Sequence, residues 1–163
     1  MTESEFERLI ALYSGTVYRT AYCRTGNATD AEDIIQETFL RLYTSDTTFN
    51  NDEHIKAWLI KTTVNLGKNL LKSGWYRLSE PITEETMDKP ARSEEMQGEG
   101  ILPLIMKLKP KNRLALYMHY YEGYSIREIA ATLGEKESAV TSRLLRARKQ
   151  LKALIIKDGV YEL

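Results

Sequence analysis

Ser138, Thr141, Ser142, Leu145, Arg146 and Lys149 are the residues of this chain whose types and spacing best suit chemistry, and the chemistry is recognition rather than bond-making. At about 100° per residue they share one side of a helix. Short hydroxyl side chains come first and cations follow. Hydroxyls can approach base edges in a DNA major groove, a leucine can lie on a thymine methyl, and arginine or lysine can reach guanine or phosphate. Val140, Leu144, Ala147 and Leu151 recur at i, i+4, i+7 and i+11 on the opposite side, which gives that helix a face to bury. Arg143 and Arg148 flank this inner face and serve either the phosphate backbone or the fold. Upstream, Ser125 and Glu128 form an S-x-x-E capping box. Ile126, Ile129, Ala130 and Leu133 supply a second apolar face, and Gly134 stands where a helix end calls for a left-handed residue. Ser125 to Lys152 therefore reads as a helix-turn-helix. From Lys136 to Lys157 the chain carries seven Lys/Arg and a single acid, Glu137, the electrostatic footprint of a nucleic-acid module. A basic outer face is also common on ordinary solvated helices, so this pattern taken alone leaves both readings open.

Catalytic chemistry has little to draw on. The two histidines, His54 and His119, lack metal-ligand spacing and a neighbouring nucleophile motif, and there is no glycine-rich phosphate loop. The one cysteine, Cys23, excludes an internal disulfide and cannot alone make a thiolate site. The expectation is a non-enzyme with no cofactor, no metal and no small-molecule substrate. Runs such as LIALY and ILPLIM are too short to span a bilayer, and the acidic, amphipathic start MTESEFERL is unlike a signal peptide, so a soluble cytoplasmic protein is expected.

The 163 residues suffice for one domain or two small ones, and 42% hydrophobic content allows a packed core. A formal net charge of zero conceals strong segregation: −6 over Met1 to Glu53, +5 over His54 to Leu78, −5 over Ser79 to Met106 and +6 over Lys107 to Leu163. Two basic zones separated by acid suggest two nucleic-acid contacts on one chain.

The elements that must carry these zones are all helical, with no strand alternation, internal repeat or heptad run. Thr2 and Glu5 offer a capping box for a first helix running to about Thr25, with Phe6, Leu9, Ile10, Tyr13 and Val17 inside and Gly26-Asn27 as the turn. Thr29 and Glu32 offer a second box for a helix over Asp30 to about Tyr43 that buries Ala31, Ile34, Ile35, Thr38 and Leu42. Asp33, Gln36, Glu37 and Arg41 form a charged, hydrogen-bonding ridge on it, which composition alone would assign to a solvated face. A polar loop, TSDTTFNN, leads to Asn51 as N-cap of a third helix from Asp52 to about Lys72. Ile55, Leu59, Thr62, Leu66 and Leu70 define its predicted inner stripe. Lys61, Asn65, Lys68, Asn69 and Lys72 define a basic, amide-rich one suited to phosphates and exposed bases. Trp58 and Trp75 read as packing residues. From about Tyr76 to Gly100 the helical pattern fails amid prolines, glycines and acids, which predicts a flexible acidic linker between domains at 1–75 and 101–163. Ile101, Leu104, Ile105 and Leu108 suggest a short helix with Pro103 in its first turn. Pro110 opens another, with Leu114, Met118 and Tyr121 inward and Glu122-Gly123 at its end.

Three strings in this order carry a family resemblance. DAEDIIQETFLRLY (Asp30 to Tyr43) resembles the polymerase-binding helix of bacterial sigma-70 factors. HIKAWLIKTTVNLGKNLLK (His54 to Lys72) resembles their promoter-melting helix, and Leu108 to Lys152 resembles their promoter-binding helix-turn-helix domain. The short linker is similar to that of the small extracytoplasmic-function class. The resemblance implies an initiation factor that binds RNA polymerase core and directs it to promoters. Asp33, Gln36, Glu37 and Arg41 would touch the clamp helices of the largest subunit. The loop from Thr44 to His54, with Asn50 and Asn51 as base contacts, and the stripe Lys61, Asn65, Lys68, Asn69 and Lys72 would hold the unwound minus-ten element. Ser138, Thr141, Ser142, Leu145, Arg146 and Lys149 would read the minus-thirty-five element. An anti-sigma factor covering both domains would regulate it.

The chain departs from the family pattern around the turn. Ser138-Ala139 replaces Gly-Thr, Thr141 stands where a basic residue is frequent, Glu135 replaces an apolar residue after the turn glycine, and Lys136 replaces a Ser or Pro cap. Base preference cannot be carried over from relatives at these positions. Two other functions fit parts of the pattern. A stand-alone helix-turn-helix regulator with a helical sensor domain would need a dimer to read two half-sites. A helical module using its basic faces on acidic proteins would be indifferent to promoter sequence.

Overall fold

The computed structural model describes residues 1–72 and 101–158, and all their regular structure is helical. The chain divides into two compact units, Met1–Glu95 and Met96–Leu163. The expected linker and Trp75 lie outside the described residues.

Among the described residues, the first unit holds three helices, each packed on the other two. Helix α1 spans Glu3–Thr25. Thr2 caps it through an oxygen that accepts from the Glu5 N–H, and Gly26 ends it at φ 67 with its N–H on Tyr22 O. That left-handed conformation costs glycine no Cβ clash. Helix α2 spans Ala28–Thr44 and starts two residues before the predicted Asp30. Its N-cap is Asn27, whose Oδ1 accepts from the Thr29 and Asp30 N–H groups at 2.9 and 3.2 Å, so the Thr29/Glu32 box is not the cap. Asparagine directly after a left-handed glycine takes the extended conformation a cap needs, and it reaches both free N–H groups first. Helix α3 spans Asp52–Lys72. Leu9, Tyr13, Val17, Phe39, Leu42, Ile55 and Leu59 form the core, with Phe6, Ile10, Ile35, Phe49 and Trp58 packed at its margin.

The inner stripe of α3 is broader than its leucines suggest. Ile55, Leu59, Ile60, Thr63, Val64 and Gly67 are buried, whereas Thr62, Leu66 and Leu70 are half-buried. A helix lying against two partners buries two adjoining faces, and the second one here mixes Ile60 and Val64 with Thr63 and Gly67. Thr63 donates to Leu59 O at 2.7 Å and meets Thr38 of α2 at 3.5 Å. Gly67 accepts the flank of Arg24, and a Cβ there would sit 2.4 Å from Arg24 Cγ, so only glycine lets α1 and α3 approach this closely.

The second unit contains α4 (Leu102–Ile105), α5 (Pro110–Tyr120), α6 (Ile126–Leu133) and α7 (Glu137–Asp158), with α7 packed on the other three. Fully buried Arg113 donates to Met106 O and Leu108 O, satisfying carbonyls freed where α4 ends. Asn112 of α5 donates to Gln150 of α7 at 3.1 Å. Leu114 and Met118 are buried as predicted, but Tyr121 is 41% exposed. Helix α5 stops at Tyr120, and Tyr117 takes the inward place instead, its hydroxyl donating to Glu122 at 2.7 Å.

Candidate functional site

Three surfaces on the two units collect the residues singled out from the sequence. On α7 the two sides separate cleanly. Val140, Leu144, Ala147 and Leu151 are buried, while Ser138, Thr141, Ser142, Leu145, Arg146 and Lys149 are exposed. Helix α6 in front of it is held by a complete capping box: the Ser125 oxygen accepts from the Glu128 N–H and the Glu128 carboxylate accepts from the Ser125 N–H, both at 3.1 Å. Gly134, at φ 67, ends α6 and turns the chain. One hydroxyl of the outward face is partly engaged, since Thr141 donates to Glu137 O at 3.0 Å and its oxygen keeps acceptor capacity.

Arg143 Nη1 donates to Glu135 Oε1 at 2.7 Å and lies as close to Oε2, with side chains only 14% and 29% exposed. A charge-assisted bond in such shelter is stronger than one in water. This ion pair fastens α7 to the turn, which gives both Glu135 and Arg143 a structural role. Arg148, at the other flank, lies over the Tyr120 ring at 6.0 Å.

On α2, Asp33, Gln36 and Arg41 are exposed and Glu37 is half-buried. Arg41 Nε donates to Glu37 Oε1 at 2.9 Å across one helical turn, an exposed pair worth little to stability. Helical spacing puts Leu40 on the same stripe as Asp33, Gln36 and Glu37, and it is 56% exposed. The sequence reading missed Leu40 because a leucine in a helix is assigned to the core by default. The signal that could have found it is its register with the ridge rather than with Ile34, Thr38 and Leu42.

On α3, Lys61, Asn65, Asn69 and Lys72 are exposed and Lys68 is half-buried, so the basic stripe survives the rotation of the inner face. The loop before α3 is tied at both ends of its last turn. Asn51 Oδ1 accepts from the His54 N–H at 2.9 Å, which makes Asn51 the N-cap. His54 Nδ1 accepts from the Asn50 N–H at 3.1 Å. Phe49 stands edge-on between His54 and Trp58, with centroids 5.2 and 5.8 Å away. Arg8 of α1 grips the Asp52 carboxylate through two bonds of 2.9 and 3.1 Å, and the Tyr13 hydroxyl donates to Asp52 O. The hydrogen bond from Arg8 holds the Asp52 carboxyl below the usual carboxylate range, and burial together with Asp52 pushes the Tyr13 hydroxyl up. Asn50 and Asn51 remain exposed on this braced loop.

Among the described residues, no group of three or more His, Cys, Asp or Glu could hold a metal ion, and no helix is long and apolar enough to cross a membrane. Cys23 is buried in α1.

Comparison with known proteins gives two family matches in sequence order, sigma-70 region 2 over residues 9–76 and sigma-70 region 4 over residues 99–151. The chain is 33% identical to the ECF RNA polymerase sigma factor BldN of Streptomyces coelicolor, over 94% of this chain, and it spans 61% of that relative's length. Among solved structures, the sigma factor RpoE of Bartonella quintana, in complex with the anti-sigma factor NepR, matches with a TM-score of 0.67 at 20% identity, covering 93% of this chain and 96% of that one. CnrH, solved with the cytosolic domain of CnrY, matches with a TM-score of 0.61 at 25% identity, covering 96% of this chain and 91% of that one.

Proposed function

This chain belongs to the sigma-70 family of bacterial RNA polymerase sigma factors, in its extracytoplasmic-function class, and from that premise we propose that it directs polymerase core to a restricted set of promoters. It acts by binding and has no catalytic role of its own. The α2 ridge of Asp33, Gln36, Glu37 and Arg41, with Leu40 as its apolar contact, docks on the clamp helices of the largest core subunit. A charged rim around one exposed leucine suits a partner of mixed character.

The loop and α3 take the minus-ten element. Pulling a base from the stack costs a few kcal/mol, which replacement contacts must offset. Asn50 and Asn51 offer amides to the extruded base, and Lys61, Asn65, Lys68, Asn69 and Lys72 follow the strand that is left single. Helix α7 lies in the major groove of the minus-thirty-five element, with Ser138, Thr141 and Ser142 toward base edges, Leu145 toward a thymine methyl, and Arg146 and Lys149 toward guanine or phosphate. The domains are 1–75 and 101–163, joined by 76–100. An anti-sigma factor holds the chain inactive by covering these surfaces, as the resemblance implies; RpoE, which shares the fold, was solved with such a factor.

The observation that carries this reading is the separation of faces on α7, a fully buried side behind an exposed face of hydroxyls, leucine and cations. Run-off transcription by purified bacterial core supplemented with this chain, on a genomic promoter library, tests it. Transcripts from a small promoter set sharing two spaced elements are expected. Transcription no more selective than that of core alone would refute it.

A further inference from the structure

We propose that His54 is a positioning residue for the minus-ten contact, acting through the Asn50 backbone; the proposal rests on the reading of this loop given above. His54 sits in the first turn of α3 and is half-buried. Its Nδ1 accepts the Asn50 N–H at 3.1 Å while its own backbone N–H is taken by Asn51 Oδ1 at 2.9 Å. Accepting at Nδ1 calls for the tautomer that carries its hydrogen on Nε2. The two bonds close a loop in which Asn51 fixes His54 and His54 fixes Asn50.

This arrangement divides the labour of the two asparagines. The Asn51 carbonyl is committed to capping α3, whereas the bond to His54 is donated by the Asn50 backbone N–H and leaves the exposed Asn50 side chain for a ligand. The ring also meets Phe49 edge-on at 5.2 Å, and Phe49 in turn reaches Trp58 and the core. Arg8 and Tyr13 brace the same turn through Asp52. Asn50 is therefore presented from a rigid base, which lowers the ordering cost of holding a flipped nucleotide.

Two substitutions separate the acceptor from the ring. Asparagine places its Oδ1 where histidine carries Nδ1, so H54N keeps the acceptor and loses the ring. H54F keeps the ring and loses the acceptor. The assay is the rate of promoter opening by core with the full-length chain, on a promoter recovered from the library and labelled with 2-aminopurine in the non-template minus-ten strand. N50A serves as the control for the underlying reading. Equal thermal unfolding and equal affinity for core establish that the variants are folded.

H54F is expected to slow opening about fivefold, the effect of one neutral hydrogen bond, and H54N to restore most of it. Slowing by H54N as large as that by H54F would show that the ring merely packs and would overturn the proposal. Opening at the wild-type rate with H54F, while N50A is slow, would overturn the proposal and leave the loop reading standing. Wild-type opening by both H54F and N50A would overturn the loop reading itself.

Discussion

Leu144 and Leu145 are neighbours in sequence with opposite fates, and exchanging each for alanine tests which way α7 faces. Leu144 is 2% exposed against the body of its unit, and Leu145 is 56% exposed. Burying a leucine side chain contributes about 1.5–3 kcal/mol, and truncating it adds a cavity term, for a total of about 2–5 kcal/mol. The unit around Leu144 is small and its walls can partly collapse, which favours the lower half, about 2–3 kcal/mol. For a domain of this size each kcal/mol moves the midpoint by about 4–8 °C, so L144A should lower the unfolding temperature of the second unit by about 10–20 °C. L145A leaves most contacts in place and should cost at most about 0.5 kcal/mol. Its effect appears on DNA instead, where the lost contact with a thymine methyl should weaken minus-thirty-five binding by up to about 1 kcal/mol. Differential scanning calorimetry of the full chain reads the first quantity, and promoter binding by the reconstituted holoenzyme reads the second. Equal destabilisation by the two variants would mean that Leu145 faces the core, and the whole outward face from Ser138 to Lys149 would then be misassigned.

Four further expectations follow from single contacts. E37K reverses a charge on the α2 ridge and should abolish core binding in a pull-down without lowering thermal stability, because the Glu37–Arg41 pair it breaks is exposed. R146A should reduce transcription from the cognate promoter by about 1–3 kcal/mol of binding if a bidentate base contact is lost, and activity equal to wild type would place Arg146 off the bases. E135L leaves Arg143 sheltered without its partner and should destabilise by about 1–2 kcal/mol. E135L combined with R143M should recover most of that loss in chemical denaturation, since the pair then disappears together. Because its bond to Arg8 lowers the Asp52 carboxyl, the stabilisation is present above the usual carboxylate range and disappears as pH falls through the lowered value. D52N should therefore flatten the acid limb of the first unit's stability against pH, measured by circular dichroism, and an unchanged acid limb would refute the coupling.

The readable parts of the chain were those where one physical signal acted alone. On α7 a single apolar stripe faces one body, so Val140, Leu144, Ala147 and Leu151 could be placed by period, and the outward residues followed by exclusion. Gly26, Gly134 and the Ser125/Glu128 box mark helix ends through local backbone demands that tertiary context does not change. Reading failed where signals competed. Asn27 was read only as a turn residue and Thr29 as the cap, whereas the extended conformation of Asn27 after Gly26 makes Asn27 the cap. The inner face of α3 was misjudged because α3 packs on two helices and buries a wider arc, which takes in Ile60 and Val64 together with Thr63 and Gly67 at the close approaches to α2 and Arg24. Leu40 was invisible because apolar residues in a helix are assumed buried, and Tyr121 because an inward period was extended past the end of α5. For the candidate contacts, sequence identified chemistry and face. It placed Asn51 as the cap of α3, but it could not show that His54 returns a contact to Asn50, or that Arg143 is tied to Glu135 eight residues away.

The measurement closest to the central claim is fluorescence anisotropy of a labelled promoter duplex titrated with this chain alone, with core alone, and with the two together. The account predicts a tight, sequence-dependent rise only when core and chain are combined, because the proposed promoter contacts are divided between two small units and the proposed α2 ridge joins the chain to core. Tight binding by the free chain as a dimer, unaffected by core, would contradict it and make this protein a stand-alone helix-turn-helix regulator.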